Sequence, residues 1–547
     1  MGLPAGTQPN ELPSLPRGVT PIDKLRRHRD ADRTLSKAAS LHLEGKRESA
    51  AGMLSRALES GVRDAALYSA LGQIRYEMGD YESAATVYEQ LVELEPQHRV
   101  AHFNLGVCRG HLKSWQAAEE SFRRAAEADA TRSDALLGSG LCLIHSGRPA
   151  EAIQPLDKYL NLFPNDEQAL FGKAVALQQT GQLADAAEHY RMVLARNPRS
   201  EEALANLVSI FIQKKDHQPV RRYAEMLAEL QPNSPVALEA LAALAFEDGD
   251  HAAAAHYGHS LSQVVPERFE NWFNLGVAYH TMGDYEKAAQ AYTEAIARKP
   301  DSVQAYLNLG AVRQELSSFA AARTCYEKAL ELDACQPAVL WNLALVLEQE
   351  GERDEAEEIY ARLPGDAPEW CDGRFRLGYL RLLRGDFAAS AEAFEACLEK
   401  RPDWPEAYLN AGIAYASSSQ PDAARRCFQE ALMLRPDSPD AMRGLAAVAL
   451  DCQEYAEAYD LHRRLIQVGE RGPELYYNAG LLCQKLGRTE EAAKFYQQSL
   501  GEDPQRLEAL LNLGHLLMAS GQAEEARSCW RRAIREKPEL AEAYFET

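Results

Sequence analysis

The side chains that most often perform catalysis or hold metal ions are scattered along this sequence. The histidines fall singly, among them His189, His280 and His515, and none belongs to an HExxH motif or to another metal-binding spacing. The ten cysteines form no CxxC pair, and no GxxxxGK[ST] loop is present to hold a phosphate. Adjacent carboxylates such as Glu490 and Glu491 fall where the helix dipole favours acids. We therefore predict no enzyme activity, no cofactor and no metal.

One polar side chain recurs at a regular spacing, and its chemistry is hydrogen bonding. Asparagine stands at sites separated by 34 residues or a multiple of 34: Asn104, Asn206, Asn274, Asn308, Asn342, Asn410, Asn478 and Asn512. Asparagine is a poor residue for a helix interior because its amide competes for backbone hydrogen bonds, so its recurrence indicates a role. A carboxamide both donates and accepts, so a row of them can hold the backbone of an extended polypeptide. The alternative is that these side chains hydrogen-bond within the protein and stabilise it.

Large apolar side chains accompany the asparagine row. Aromatic residues stand one residue before it at Phe273, Trp341, Phe375 and Tyr477. A second apolar series stands three residues after it, at Val107, Leu141, Val175, Val277, Leu345, Tyr379, Ile413 and Leu481. An apolar stripe beside a row of amides predicts a peptide-binding surface. Partial burial of the stripe under a neighbouring helix is the open alternative.

A series of small residues at the same period indicates which elements position these rows. Alanine stands at Ala50, Ala84, Ala118, Ala152, Ala186, Ala254, Ala288, Ala322, Ala356, Ala424, Ala458, Ala492 and Ala526. Only Val220 and Ser390 interrupt the series, and both are small. A site that stays small through fifteen periods is one where two backbones lie close together, so the sequence predicts a stack of identical helical units.

The unit from residue 269 to residue 302 carries the fullest signature of this period. Its marked residues are Trp272, Leu275, Gly276, Tyr279, Gly283, Ala288, Tyr292, Ala295 and Pro300. This pattern resembles the tetratricopeptide repeat (TPR). The resemblance implies an all-α, right-handed superhelix of about fifteen 34-residue helix-turn-helix repeats over residues 31–540. It also places the asparagine row on the concave face, where it is similar to the asparagine ladder of O-linked N-acetylglucosamine transferase.

The two ends of the chain depart from the repeat. Residues 1–30 contain five prolines among Gly, Ser and Thr, and we predict that they are disordered. Residues 541–547 begin a further first helix that stops early. Because the last repeat of a solenoid exposes its apolar face unless it is capped, we expect this end to self-associate or to dock on a partner.

Two internal stretches also depart from the repeat. Residues 201–268 place Val208 and Val220 in slots that are otherwise smaller and lack the usual aromatic residue of the second helix, so we expect looser packing and a possible hinge there. The segment Leu363 to Trp370 contains two prolines and is expected to shorten the second helix of the tenth repeat.

Charge limits the classes of partner. The chain has 59 basic and 81 acidic residues, a net charge of −22, which repels phosphate backbones and makes nucleic acid an unfavourable ligand. No apolar run is long enough for a signal peptide or a membrane span, so we expect no membrane association and a cytoplasmic location.

The sequence therefore predicts a non-catalytic scaffold or adaptor that binds extended segments of a protein or peptide partner. Two alternatives remain open at this point. One is the substrate-recruiting arm of a glycosyltransferase complex, which the asparagine row suggests although no glycosyltransferase domain follows the repeats. The other is a purely structural spacer.

Overall fold

The computed structural model describes residues 29–541, and every regular element in that range is an α-helix. The helices form two compact units, which meet in sequence at Met282 and Gly283. The rest of the predicted N-terminal segment 1–30 and of the predicted terminal helix 541–547 lies outside the described residues. Residues 29 and 30 are already helical, so the first helix begins two residues earlier than the predicted boundary.

Fifteen helices belong to the part of the first unit from residue 29 onwards. They are α1 Arg29–Leu43, α2 Arg47–Glu59, α3 Ala65–Glu77, α4 Tyr81–Leu94, α5 Arg99–His111, α6 Trp115–Ala128, α7 Ser133–His145, α8 Pro149–Leu162, α9 Glu167–Gln179, α10 Leu183–Arg196, α11 Glu201–Gln213, α12 His217–Leu230, α13 Pro235–Glu247, α14 His251–Val264 and α15 Phe269–Thr281.

Fifteen more belong to the described part of the second unit. They are α16 Tyr285–Arg298, α17 Val303–Glu315, α18 Phe319–Leu332, α19 Pro337–Glu350, α20 Arg353–Ala361, α21 Trp370–Arg384, α22 Phe387–Lys400, α23 Pro405–Ser417, α24 Pro421–Leu434, α25 Pro439–Asp451, α26 Tyr455–Gln467, α27 Pro473–Lys485, α28 Thr489–Glu502, α29 Leu507–Ala519 and α30 Ala523–Glu536.

Successive helices pair with the 34-residue period, which confirms the predicted all-α solenoid of helix-turn-helix repeats. We number each repeat from 1 to 34, with repeat 1 starting at Ala31. The first helix of a repeat then starts near position 1 and the second near position 17. Proline at the first turn of α13, α19, α23, α25 and α27 suits this frame, since the first amides of a helix have no partner within it.

The turn between the two helices of a repeat requires a left-handed residue at position 15. Ten repeats place glycine there, and five place Lys113, Lys215, Ser317, Ser419 or Gln453, all with φ between 54° and 63°. A side chain in this region crowds the following carbonyl, whereas glycine does not.

Replacing Lys215 by glycine is therefore expected to stabilise the sixth repeat by roughly 0.5 to 1 kcal/mol. The matched control is Lys214→Gly, because Lys214 carries the same charge but has a φ of −80°. Hydrogen exchange of α11 and α12 measures both changes. Equal effects of the two substitutions would contradict the strain assigned to position 15.

The small-residue series lies where the helices of a repeat pack. Ala186 and Ala492 are fully buried, and Val220 and Ser390 are buried too. The hydroxyl of Ser390 donates to the carbonyl oxygen of Gly378 at 2.7 Å, so even the polar exception is satisfied. The period that organises the sequence is thus a packing requirement.

The two internal departures have different outcomes. The helix α20 ends at Ala361 after nine residues, which confirms the predicted shortening of the second helix of the tenth repeat. Residues 201–268 are closely packed, however: Val208, Val220 and Ala224 belong to a continuous buried core that also contains Leu244. The expected loose packing is therefore wrong for these side chains, while the hinge itself stays a prediction.

Candidate peptide-binding surface

The asparagine row lies close to the residue at position 24 of each repeat, which is on the second helix and is usually aromatic. Its ring lies against position 8 of its own repeat: a Cβ added at Gly480 would lie 2.7 Å from Cε1 of Tyr496. The same ring also reaches position 6 of the next repeat. A Cβ on Gly138 would lie 2.9 Å from Phe122 of the preceding repeat. Position 6, the asparagine site, therefore lies next to the preceding repeat's ring.

Three asparagines hydrogen-bond the tyrosine found 16 residues before them. The Nδ2 atoms donate to the hydroxyl oxygens of these tyrosines over 3.1 Å for Asn104 and Tyr88, 3.4 Å for Asn308 and Tyr292, and 3.5 Å for Asn512 and Tyr496. Each bond joins one repeat to the next. In these places the asparagine stabilises the stack, which is the alternative that the sequence left open.

Asn104 shows this role most fully. Asn104 is only 4% exposed, so no peptide can reach its side chain. This burial corrects the prediction that Asn104 binds a peptide. Burial also raises the pKa of the Tyr88 phenol further above physiological pH, where the hydroxyl is protonated in any case. Asn104 is thus part of the core of the first unit.

Some of the tyrosine hydroxyls at position 24 donate to a glutamine at position 12 of their own repeat. Tyr190 donates to Gln178 Oε1 at 2.8 Å, and Tyr496 donates to Gln484 Oε1 at 2.9 Å. Tyr496 consequently both donates to Gln484 and accepts from Asn512, which satisfies its hydroxyl on both sides.

The other five asparagines make no hydrogen bond through their side chains within the described residues. Asn206, Asn342, Asn410 and Asn478 are half-buried, and Asn274 is exposed. For two of these asparagines, the sequence explains why the side chain has no tyrosine partner. The residue 16 before Asn274 is Gly258 and the one before Asn410 is Phe394, neither of which has a hydroxyl. These carboxamides have unused donors and acceptors.

The four predicted aromatic residues are half-buried, so the alternative of partial burial is confirmed for them. Three pack on the ring at position 24 of their own repeat, with centroid distances of 5.7 Å for Trp341 and Tyr360, 5.5 Å for Phe375 and Phe394, and 5.8 Å for Tyr477 and Tyr496. Phe273 stacks on Phe269 of its own helix at 5.4 Å. Their contact with a peptide stays a prediction.

Three exposed apolar side chains near position 6 lie close together in the sequence of first helices, on α21 and on the next first helix, α23. Tyr379 is 41% exposed, Leu383 is 53% exposed and Ile413 is 39% exposed. Tyr379 and Ile413 occupy position 9, which the sequence had marked, whereas Leu383 at position 13 was missed. The spacing of the sequence could have indicated Leu383, because positions 6, 9 and 13 fall on one face of a helix. We call Tyr379, Leu383, Asn410 and Ile413 the α21–α23 surface.

A row of acids borders this surface at position 2 of the first helices. Asp372 pairs with Arg401 at 3.2 Å, and Glu406 pairs with Arg435 at 2.6 Å. Because these carboxylates are already neutralised, they add little net charge to the surface. The surface is therefore suited to an apolar segment with a free backbone more than to a strongly basic one.

Residues 29–541 contain no group of three or more His, Cys, Asp or Glu side chains placed to hold a metal ion. In the same range, no helix is long and apolar enough to cross a membrane.

Models of the tetratricopeptide repeat family match most of the chain. One model matches residues 69–133, 114–167, 168–219, 307–369, 375–419 and 409–467, which together make up more than half of the sequence. Two further models of the same repeat match residues 270–302 and 485–545. The chain belongs to the tetratricopeptide repeat family. TPR proteins as a class are protein-interaction scaffolds, and this one consists of TPR units throughout its matched length.

Solved structures similar to this TPR protein include three with different extents of overlap. YrrB, described as a TPR protein with an unusual peptide-binding site, is 22% identical to this chain. The match covers 34% of this chain and 96% of YrrB, with a TM-score of 0.32. The structure of Naa15/Naa10 bound to HypK-THB shows 13% identity. The match covers 93% of this chain and 94% of that chain, with a TM-score of 0.35. The Cut9-Hcn1 hetero-tetramer of APC/C is 15% identical. The match covers 84% of this chain and 98% of that chain, with a TM-score of 0.28. No curated protein matches the TPR sequence significantly.

Proposed function

We propose that this TPR protein is a non-catalytic scaffold that binds an extended peptide segment of a partner protein along the α21–α23 surface. The observation that carries the proposal is the presence of unpartnered carboxamides beside exposed apolar side chains. The side chain of Asn410 makes no hydrogen bond within the described residues, and Ile413 lies one turn further along the same helix face. Tyr379 and Leu383 continue the apolar area on the preceding first helix.

Each component supplies a different part of recognition. A carboxamide donates to a peptide carbonyl and accepts from a peptide amide, so Asn410 is able to bind backbone without regard to sequence. Tyr379, Leu383 and Ile413 contribute burial of apolar area, at about 25 cal/mol per Å². Asn342, also unpartnered, occupies position 6 one repeat before Arg376 and two repeats before Asn410.

Photo-crosslinking tests the location of the site. Peptides are first selected from a display library on the full chain. The photoreactive residue p-benzoylphenylalanine is then incorporated at the position of Ile413 and, as a control, at the position of Met433. Met433 is 67% exposed and lies on α24 of the same repeat. We expect crosslinks from position 413 and none from position 433.

Crosslinks of equal yield from both positions would contradict the proposed surface. A selected peptide that crosslinks only from position 433 would place the binding site on the second helices instead. Unlabelled peptide in excess must abolish the crosslink at position 413.

A further inference from the structure

The sixth repeat departs from the TPR signature, and a groove lies where it does so. Position 24 is Ala224 instead of an aromatic residue, and the ring has moved to Tyr223 at position 23. Between α10 and α12 the chain forms a groove of about 630 Å³. Leu194, Pro219 and Met226 line it with apolar surface.

Two arginines are held at this groove by the displaced ring. The Nε atom of Arg191 donates to the hydroxyl of Tyr223 at 3.1 Å. The guanidinium of Arg222 lies over the face of the same ring, 5.8 Å from its centroid. A single tyrosine therefore orients both cations and leaves the terminal nitrogens of Arg191 with no hydrogen bond within the described residues.

A third cation extends this arrangement. Tyr223 stacks on Phe211 at 5.9 Å, and both Arg191 and Lys214 lie within 5.6 Å of the Phe211 centroid. None of Arg191, Lys214 and Arg222 forms an ion pair within the described residues.

The acids nearest in sequence on the same helices form no ion pair with these cations. Glu188 precedes Arg191 by three residues and Glu225 follows Arg222 by three, yet neither forms an ion pair with them. Among the described residues that line the groove, Arg191 and Arg222 are basic and none is acidic, in a chain whose net charge is −22.

We propose that this groove is a second docking site, specific for an acidic peptide segment that also carries an apolar side chain. Carboxylates of the segment bind Arg191 and Arg222, and an adjacent apolar side chain enters the floor formed by Leu194, Pro219 and Met226. Charge complementarity selects the acid, and the apolar floor favours a peptide over a nucleic acid, which the net charge also repels. The site uses none of the residues of the α21–α23 surface.

Fluorescence anisotropy with the full chain tests the proposal. The probe is a short fluorescein-labelled peptide of Glu-Glu-Leu-Phe repeats, with Gln-Gln-Leu-Phe and Glu-Glu-Ser-Ser repeats of equal length for comparison. We expect the first to bind, with an affinity that falls as salt is raised, and the other two to bind about tenfold more weakly. The variant R191E/R222E is expected to weaken binding of the first peptide by tenfold or more.

The control R199E/R426E makes the same change of charge at exposed arginines outside the groove and is expected to bind like the unaltered chain. Y223F, which removes the hydroxyl that Arg191 contacts, is expected to have an intermediate effect. Circular dichroism confirms that each variant is folded. Absence of binding, equal losses in the two double variants, equal binding of the uncharged peptide, or displacement of the peptide by oligothymidylate would each overturn the proposal.

Discussion

Replacing Gly480 by valine is expected to destabilise the fourteenth repeat by about 3 kcal/mol. The first added atom alone would lie 2.7 Å from the Tyr496 ring and 3.3 Å from the carbonyl oxygen of Ala492, and the ring is fully buried. Neither the ring nor the backbone can move without breaking the contact between the two helices. Because a repeat array does not unfold as a single cooperative unit, hydrogen exchange of α27 and α28 is the appropriate measurement.

Gly501→Val is the matched control, because Gly501 lies on α28 of the same repeat and nothing lies within 4 Å of a Cβ built there. It is expected to leave exchange unchanged or to slow it. A double-mutant cycle with Tyr496→Ala tests the cause: the double variant should be less destabilised than the sum of the two singles. The sixth repeat already contains such a combination, with Val208 at position 8 and Ala224 at position 24, both fully buried. Strict additivity would contradict the assigned contact.

The repeat frame and its packing could be predicted from sequence because they depend on residue size at fixed intervals. The link between asparagine and tyrosine was also present in the sequence, as a spacing of 16 residues between Tyr88 and Asn104 and again between Tyr496 and Asn512. It crosses from one repeat to the next, so a comparison of equivalent positions alone does not reveal it.

Other features of the site depend on choices of side-chain conformation that spacing does not determine. Asn342 also follows a tyrosine, Tyr326, by 16 residues, yet its carboxamide makes no hydrogen bond with it. Both Tyr326 and Tyr496 donate to the glutamine at position 12, so the sequence around these tyrosines does not distinguish the two cases. Leu383 is 53% exposed while Leu382 beside it is half-buried, since one residue along a helix turns the side chain by about 100°. At the sixth repeat, the sequence indicated a departure from the repeat pattern but did not predict a groove.

The division of the asparagine row predicts opposite effects of the same substitution within the second unit. N308A/N512A removes donors that tyrosine hydroxyls accept from, so it is expected to cost roughly 1 kcal/mol at each site and to leave peptide affinity within about twofold. N342A/N410A removes carboxamides with no intramolecular partner, so stability should be unchanged or slightly higher, because alanine is a better helix former than asparagine. Loss of two backbone-binding amides is expected to weaken the selected peptide by about tenfold or more.

Measuring the peptide affinity of these two double variants, and their local stability by hydrogen exchange of the substituted repeats, tests the central claim most directly. Each variant carries two Asn→Ala changes at position 6, so composition and charge are matched. We expect N342A/N410A to lose affinity with no loss of stability and N308A/N512A to lose stability at unchanged affinity. Equal effects on both quantities in the two variants would contradict the division of the row into asparagines that join repeats and asparagines that bind peptide.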